Sequence, residues 1–202
     1  MLKKISFTAL LLCAVFACAT AAEVFKIDST SVPPANSNVT KTDAGFVFKP
    51  DSTWNIPDLT FDGQAGSFEI DLIPDLQPLD TGMKRRMNAV FDLNSPTRSA
   101  MVVNQYDNNK KQLLNFTAFN TSQKANVVQS MFSFVSGQEY KIKAEWNSEE
   151  LVLSVNGKVV SSKKRDGSFK SGKVIRLRLG AIKGTRDSMP MTVKRFVFNN
   201  GK

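Results

Sequence analysis

A two-residue alternation of apolar and polar side chains constrains the fold of this chain more than any other feature. In YKIKAEW, residues 140–146, apolar side chains occupy every second position, with Lys141, Lys143 and Glu145 between them. SFEIDLI, residues 67–73, alternates in the same way. Successive side chains of a strand point to opposite faces, so this pattern predicts strands with one face in a core and the other towards solvent.

A third segment, VIRLRLG at 174–180, alternates in the same way. Ile175, Leu177 and Leu179 form its predicted core-facing side, and Arg176 and Arg178 point the other way. Turn-forming residues separate the alternating segments: Asp107-Asn108-Asn109, Asn156-Gly157, Asp166-Gly167 and Ser171-Gly172. No helical period is sustained anywhere. About ten strands at this spacing predict an all-β fold, an antiparallel two-sheet β-sandwich.

The N-terminus has a different character. Two lysines precede an apolar run from Ala9 to Ala19, and small residues follow. This is the layout of a secretory signal peptide, with cleavage after Ala21 or Ala22. We therefore expect residues 1–22 to be a signal peptide and the protein to be exported to the periplasm, the cell surface or the medium. The remaining chain, residues 23–202, should form a single β-sandwich domain that opens with a strand and a polar loop over 23–41.

Both cysteines, Cys13 and Cys18, lie within this leader. Val15-Phe16-Ala17-Cys18 resembles the lipobox of bacterial lipoproteins, in which the cysteine is acylated, although Phe16 departs from that motif. We expect a membrane partner only if Cys18 is lipidated. A domain without disulfides must take its stability from a hydrophobic core, for which about 180 residues are ample.

Composition excludes several kinds of chemistry. The chain has no histidine, the side chain most often used for acid–base work near neutral pH. With cysteine confined to the leader, zinc, copper and nucleophile–histidine chemistry are excluded in the domain. The whole chain has a net charge of +9, and without Lys3 and Lys4 of the leader 25 basic and 18 acidic residues leave +7, which favours anionic partners. Asp107 is a weak calcium candidate, but no acidic cluster completes the shell of oxygen ligands that calcium needs, so we expect no cofactor.

A longer motif spans residues 137–162. There an apolar strand ends in Trp146, and a polar turn and Leu-x-Leu-x-Val-Asn-Gly-Lys follow. This resembles the paired strands of the laminin-G-like and concanavalin A-like jelly rolls. SFEIDLIPD resembles an early strand of that superfamily, and MTVKRFVFNN at 191–200 its closing strand. The superfamily includes lectins, carbohydrate-binding modules, protein-binding modules and retaining glucanases, so the resemblance implies a fold and leaves the function open.

Glu69 and Asp71 raise the question of catalysis. The resemblance implies that a glucanase would carry Glu-x-Asp-x-Glu on one strand, with or without a bulge before the last residue. A retaining enzyme needs two carboxylates about 5 Å apart. Here the last position falls on Ile73 or Pro74, and Asp75 lies beyond the proline. We therefore expect Glu69 and Asp71 to lie on the solvent face of a strand, and we lean against an enzyme.

The strand that would correspond to the catalytic one, counted back from Trp146, is MVVNQYD at 101–107. It contains no paired carboxylates. Its polar residues include Asn104 and Tyr106, which share one face of the strand, and a tyrosine ring can stack on a sugar. We predict that Asn104, Tyr106 and Asn115 bind a ligand.

Four basic residues in two of the segments with alternating side chains are further binding candidates: Lys141, Lys143, Arg176 and Arg178. If their two strands are neighbours, they form one basic face that attracts anions. The alternative is that they only keep an exposed sheet soluble. No row of exposed aromatic residues accompanies them, so nucleic acid is not expected as the primary partner.

The sequence is compatible with three functions. The first is a non-catalytic binding module for a carbohydrate or an anionic cell-envelope glycan, with a glycan or another anionic polymer as partner. The second is a glycan-active hydrolase of the same fold. The third is a structural or adhesive surface protein with a protein partner, which would require a contiguous exposed apolar patch.

Overall fold

The computed structural model describes residues 22–79, 85–106, 111–180 and 187–201. Within these ranges the secondary structure is seventeen strands, numbered β1 to β17 in chain order, and no helix. No described helix therefore meets the length and hydropathy needed to span a membrane. Cys18, Asp107 and nearly all of the predicted signal peptide lie outside the described residues.

One sheet has eight strands. In spatial order they are β13 (Lys158–Lys164), β12 (Glu150–Val155), β11 (Tyr140–Trp146), β6 (Gly66–Pro74), β17 (Met191–Asn200), β3 (Gly45–Phe48) and β2 (Thr40–Thr42), with β1 (Ala22–Ile27) also paired to β17. All of these pairs are antiparallel.

A second sheet has seven strands. In spatial order they are β10 (Ala125–Met131), β9 (Lys111–Phe119), β8 (Ser99–Tyr106), β7 (Arg85–Asn94), β15 (Arg176–Gly180) and β4 (Thr53–Ile56), with the short β16 (Asp187–Ser188) parallel to β7. A separate pair joins β5 (Thr60–Phe61) to β14 (Gly172–Lys173). The predicted all-β class and the antiparallel two-sheet sandwich are confirmed.

Phe68 on β6 occupies the core between the two main sheets. Its ring centroid lies 4.5 Å from that of Phe91 on β7, which belongs to the seven-stranded sheet. On its own sheet it lies 4.9 Å from Phe198 and 5.2 Å from Trp146. These rings are at most 3% exposed. Aromatic contacts of this kind, made across and along the sheets, join the two layers into one core.

The predicted hairpin over Trp146–Gly157 is present. β11 and β12 pair antiparallel, with Trp146 opposite Leu151. The pair Asn156-Gly157 then joins β12 to β13, with φ angles of 51° and 77°. Two consecutive positive φ angles characterise the tight hairpin turn that an Asn-Gly pair favours. The predicted closing strand also agrees with the structure, because β17 covers Met191–Asn200.

The prediction for Ile175 is wrong. Leu177 and Leu179 are fully buried, as their alternation indicates, but Ile175 is 76% exposed. The amide of Val174 donates to the carbonyl of Leu59, and the chain bends at residue 175 before β15 begins. Val174 is therefore the buried residue at this end of the strand.

Candidate functional site

An open cleft of about 740 Å³ lies on the outer face of the seven-stranded sheet. We call it the sheet cleft. It is lined by outward-facing side chains of β7, β8 and β9, with contributions from β10 and β15 at its sides. Four predicted binding residues line it: Asn104, Tyr106, Asn115 and Arg176. The structure thus brings these four side chains together on one surface.

The alternation of β8 explains this placement. Met101 and Val103 have no exposed surface and face the core, whereas the next outward positions are Asn104 and Tyr106. In the antiparallel pairing of β8 with β9, Asn115 stands opposite Val102, on the cleft face. Side chains at every second position of a strand share a face, so alternation within β8 places Asn104 and Tyr106 together, as expected. The pairing of β8 with β9 and of β7 with β15 brings Asn115 and Arg176 to the same surface.

Arg85, on β7, is a cleft residue that the sequence analysis missed. Its Nε and Nη2 atoms donate to Oδ1 of Asn104 at 3.2 and 2.7 Å. Asn104 is only 4% exposed, so its carbonyl oxygen holds the guanidinium of Arg85 in place. Alternation could not reveal Arg85, because β7 continues into an unbroken run of buried residues over 88–93.

Two arginine–aromatic contacts lie at opposite ends of the sheet cleft. The guanidinium of Arg85 lies over the ring of Tyr106, 5.5 Å from its centroid. That of Arg98 lies over the ring of Phe119 at 5.1 Å. The negative face of an aromatic ring attracts a cation, so both contacts orient exposed positive charge.

Asp92 carries the single carboxylate among the described residues that line the sheet cleft. Its oxygens accept from Nε and Nη2 of Arg178 at 2.7 and 3.3 Å, and Nη2 of Arg176 lies 4.0 Å away. Arg178 opposes the apolar face of β15, as predicted, but its side chain is only 8% exposed. The carboxylate of Asp92 balances its charge, whereas the side chain of Arg176 is 44% exposed.

Lys141 and Lys143 lie elsewhere. They belong to β11 of the eight-stranded sheet, so they occupy the opposite outer face of the sandwich from β15. The single basic face expected if these strands were neighbours does not form. Lys143 contacts Glu145 at 2.7 Å and Glu69 at 3.5 Å. Burial opposes its charge, but the hydrogen bonds and charges of Glu145 and Glu69 together outweigh burial and raise the pKa of Lys143 above its ordinary value.

Glu69 and Asp71 lie on this same outer face, as predicted, and both are partly exposed. Besides Lys143, Glu69 accepts from Nη1 of Arg195 on the neighbouring strand at 3.3 Å. Cross-strand pairs of opposite charge stabilise an exposed sheet surface by a few tenths of a kcal/mol to about 1 kcal/mol. The contacts of Glu69 are thus those of a structural surface residue, paired with cations on both neighbouring strands.

Replacing Glu69 with glutamine is expected to lower the free energy of unfolding by less than about 1 kcal/mol, because exposed ion pairs contribute little. Urea denaturation measures this difference. Glu149→Gln provides the matched control, since the Glu149 side chain is exposed and has no ion pair among the described residues. A loss above about 2 kcal/mol relative to that control would show that Glu69 has a role beyond these surface pairs.

Metal-ligating residues do not cluster in the part of the chain that the structure describes: no group of three or more His, Cys, Asp or Glu side chains could hold an ion there. The calcium candidate Asp107 lies outside the described residues. For the described lining of the sheet cleft, the available chemistry is hydrogen bonding by amides and guanidinium groups, with aromatic and aliphatic surface between them.

The sequence matches no family profile and no curated protein. Solved structures do match. Crh5 transglycosylase aligns over 90% of this chain and 86% of its own, with a TM-score of 0.55 and 17% identity. Domains LG4-5 of the mouse laminin alpha1 chain align over 89% of this chain and 46% of theirs, with a TM-score of 0.56 and 12% identity.

The receptor-binding domain of botulinum neurotoxin D aligns over 82% of this chain and 43% of its own, with a TM-score of 0.58 and 10% identity. Identities this low carry information about fold alone. The chain has the jelly-roll fold of the concanavalin A-like and laminin-G-like structures, which confirms the resemblance found in its sequence.

Proposed function

We propose that this protein is an exported, non-catalytic binding module that holds a carbohydrate or an anionic cell-envelope glycan in the sheet cleft. The observation that carries the proposal is the convergence of Asn104, Tyr106, Asn115 and Arg176 on one open surface. The fold supports it as well, since a structure of Crh5 transglycosylase in complex with NAG, with a TM-score of 0.56, shares this architecture.

The lining of the sheet cleft suits a sugar chemically. Sugars present hydroxyl groups at their edges and C–H groups on their faces, so they require polar donors and acceptors beside apolar surface. Thr117 and Gln129 add a hydroxyl and an amide to the predicted polar residues, while Val102 and Leu113 supply aliphatic surface. Tyr106 is half-buried at the end of β8, and a tyrosine ring can stack on the apolar face of a sugar.

Replacing Tyr106 with alanine is expected to weaken glycan binding about tenfold, which corresponds to 1.4 kcal/mol. A glycan array would identify the best ligand at low salt with calcium present, and isothermal titration calorimetry would compare the variant with the native protein. Lys158→Gln is the control, because Lys158 is exposed on β13 of the other sheet. The proposal is refuted if the native protein binds no glycan on the array, or if Tyr106→Ala binds as tightly as the control.

A glycan-active hydrolase is the second candidate, favoured by the fold shared with a transglycosylase. Hydrolysis of this type uses two carboxylates flanking the scissile bond, about 5 to 9.5 Å apart. In the described lining of the sheet cleft Asp92 would be one, and it is bound to Arg178. An increase in reducing ends when the bound glycan is incubated with the protein, abolished by Asp92→Asn at a temperature where circular dichroism shows that variant to be folded, would replace the binding proposal with this one.

Export is a separate element of the proposal and has its own test. N-terminal sequencing of the protein made in a secreting bacterial host should begin at Ala22 or Glu23. A protein acylated at Cys18 would instead begin there and enter the detergent phase. A chain that keeps residues 1–22 would contradict export.

A further inference from the structure

We infer that the sheet cleft recognises an extended acidic glycan, one whose negative groups are far enough apart to meet arginines at both ends of the cleft. The inference rests on the proposed glycan-binding function and defines its ligand more narrowly. It follows from the positions of three exposed arginines, Arg85, Arg98 and Arg176, along the strands.

One end of the sheet cleft carries Arg85. Its position is fixed by two hydrogen bonds to Oδ1 of Asn104 and by the ring of Tyr106 beneath it. A guanidinium has five N–H donors, and these two bonds use only Nε and Nη2. No described carboxylate forms an ion pair with Arg85, so its remaining donors and its charge are available to a ligand.

The other end carries Arg98 and Arg176. Arg98 is exposed and lies over Phe119, and no described carboxylate pairs with it. Arg176 stands opposite Asn94 at the end of β7 and contacts Asp92 only at 4.0 Å. Planar guanidinium groups bind carboxylates and sulfates through two parallel hydrogen bonds, which an ammonium group cannot do.

The charge within the described sheet cleft is therefore unbalanced. Three exposed guanidinium groups and one carboxylate, that of Asp92, line it. Both oxygens of that carboxylate already accept hydrogen bonds from the buried Arg178. The closest ion pair available to the exposed arginines is the 4.0 Å contact of Arg176. A neutral sugar would leave this positive charge unmatched, whereas an acidic sugar would match it.

The distance between the two ends determines the size of the ligand. Arg85 stands opposite Tyr106, and Leu93 stands opposite Ser99, the residue after Arg98. Eight positions of chain separate Arg98 from Tyr106, about 26 Å at 3.3 Å per residue. One sugar ring cannot reach both ends, so the ligand must be an oligosaccharide. Uncharged polar side chains occupy the middle of the cleft, where hydroxyl groups of such a chain would lie.

Calorimetric titration with oligogalacturonates of increasing length tests the inference. The octasaccharide is expected to bind at least about tenfold more tightly than the disaccharide, and tenfold more tightly than the same octasaccharide with its carboxylates methyl-esterified. Keratan sulfate oligosaccharides of equal length distinguish sulfated from carboxylated ligands, since they carry sulfate groups along an extended chain and no carboxylates. Binding should weaken as salt is added, because exposed charges are screened.

The variants Arg85→Gln and Arg98→Gln test whether the ligand contacts both ends of the sheet cleft. Each is expected to weaken the binding of the acidic octasaccharide about fivefold and to weaken that of the esterified chain by a clearly smaller factor, because only the charged chain loses an ion pair. Lys158→Gln removes an equal charge away from the sheet cleft and should change nothing. If this control weakens binding as much as Arg85→Gln does, net charge alone explains the attraction and the inference is wrong.

The remaining outcomes separate this inference from the proposed function. If neutral glycans bind with sensitivity to Tyr106→Ala but without preference for charge or length, the binding module remains and the extended acidic ligand is refuted. The extended acidic ligand is also refuted if neither the carboxylated nor the sulfated chain binds while neutral chains do. If no glycan binds at all, the binding module and its acidic ligand are both refuted.

Discussion

Replacing Phe68 with alanine is expected to lower the free energy of unfolding by about 3–5 kcal/mol. The ring is 1% exposed and contacts Phe91, Trp146 and Phe198, which belong to both main sheets. Removing it forfeits the transfer free energy of the side chain and leaves a cavity that rigid strands close only in part. Guanidinium denaturation, monitored by tryptophan fluorescence, measures the loss.

Phe132→Ala is the matched control for this variant. Phe132 is only partly buried and packs at the edge of the core, 4.8 Å from Phe134 and 5.6 Å from Tyr140. Its replacement should cost less than half as much as that of Phe68. If Phe68→Ala leaves too little folded protein to measure, Phe68→Leu provides a milder comparison. Equal losses at the two positions would contradict a core centred on Phe68.

Replacing Asp92 with alanine is the second substitution with a large expected effect. It leaves the charge of Arg178 buried with neither of its two carboxylate hydrogen bonds. Removing one partner of a buried ion pair costs about 3–5 kcal/mol, because the remaining charge is desolvated without compensation. Urea denaturation of the variant should show this loss.

The double variant Asp92→Leu with Arg178→Met tests whether the unpaired charge of Arg178 causes the loss of stability in Asp92→Ala. It removes both charges and fills much of the same volume, so it should recover most of the stability lost in Asp92→Ala. Arg176→Gln is the control, since its 4.0 Å contact and its exposure indicate a small contribution. If the double variant is as unstable as Asp92→Ala, packing rather than charge explains the loss.

Alternation predicted the strands whose outer face meets solvent. β6 and β11 have this pattern because their core-facing residues are buried and the residues between them are partly exposed. Alternation could not identify β7, because residues 88–93 of that strand are all buried. It also gave too few strands: about ten were predicted and seventeen are described, because strands of two or three residues, such as β5 and β14, are too short to show a period.

The candidate site was predictable in part for the same reason. The two-residue alternation within β8 correctly placed Asn104 and Tyr106 on one face, since the direction of a side chain is a local property of the strand. Sheet membership is not local. Lys143 and Arg176 belong to similar alternating strands, but β11 pairs with β6 whereas β15 pairs with β7. Pairings between distant segments decide which sheet a strand joins, and no single strand carries that information.

The back-to-back arrangement of the two outer faces has a practical consequence. Lys141 is exposed on the sheet opposite the cleft, and the native cysteines lie only at positions 13 and 18. In protein made without residues 1–22, Lys141→Cys would provide a unique thiol for coupling to a sensor chip or a bead. A layer tethered in this way would have one orientation, with every cleft turned to the flowing sample.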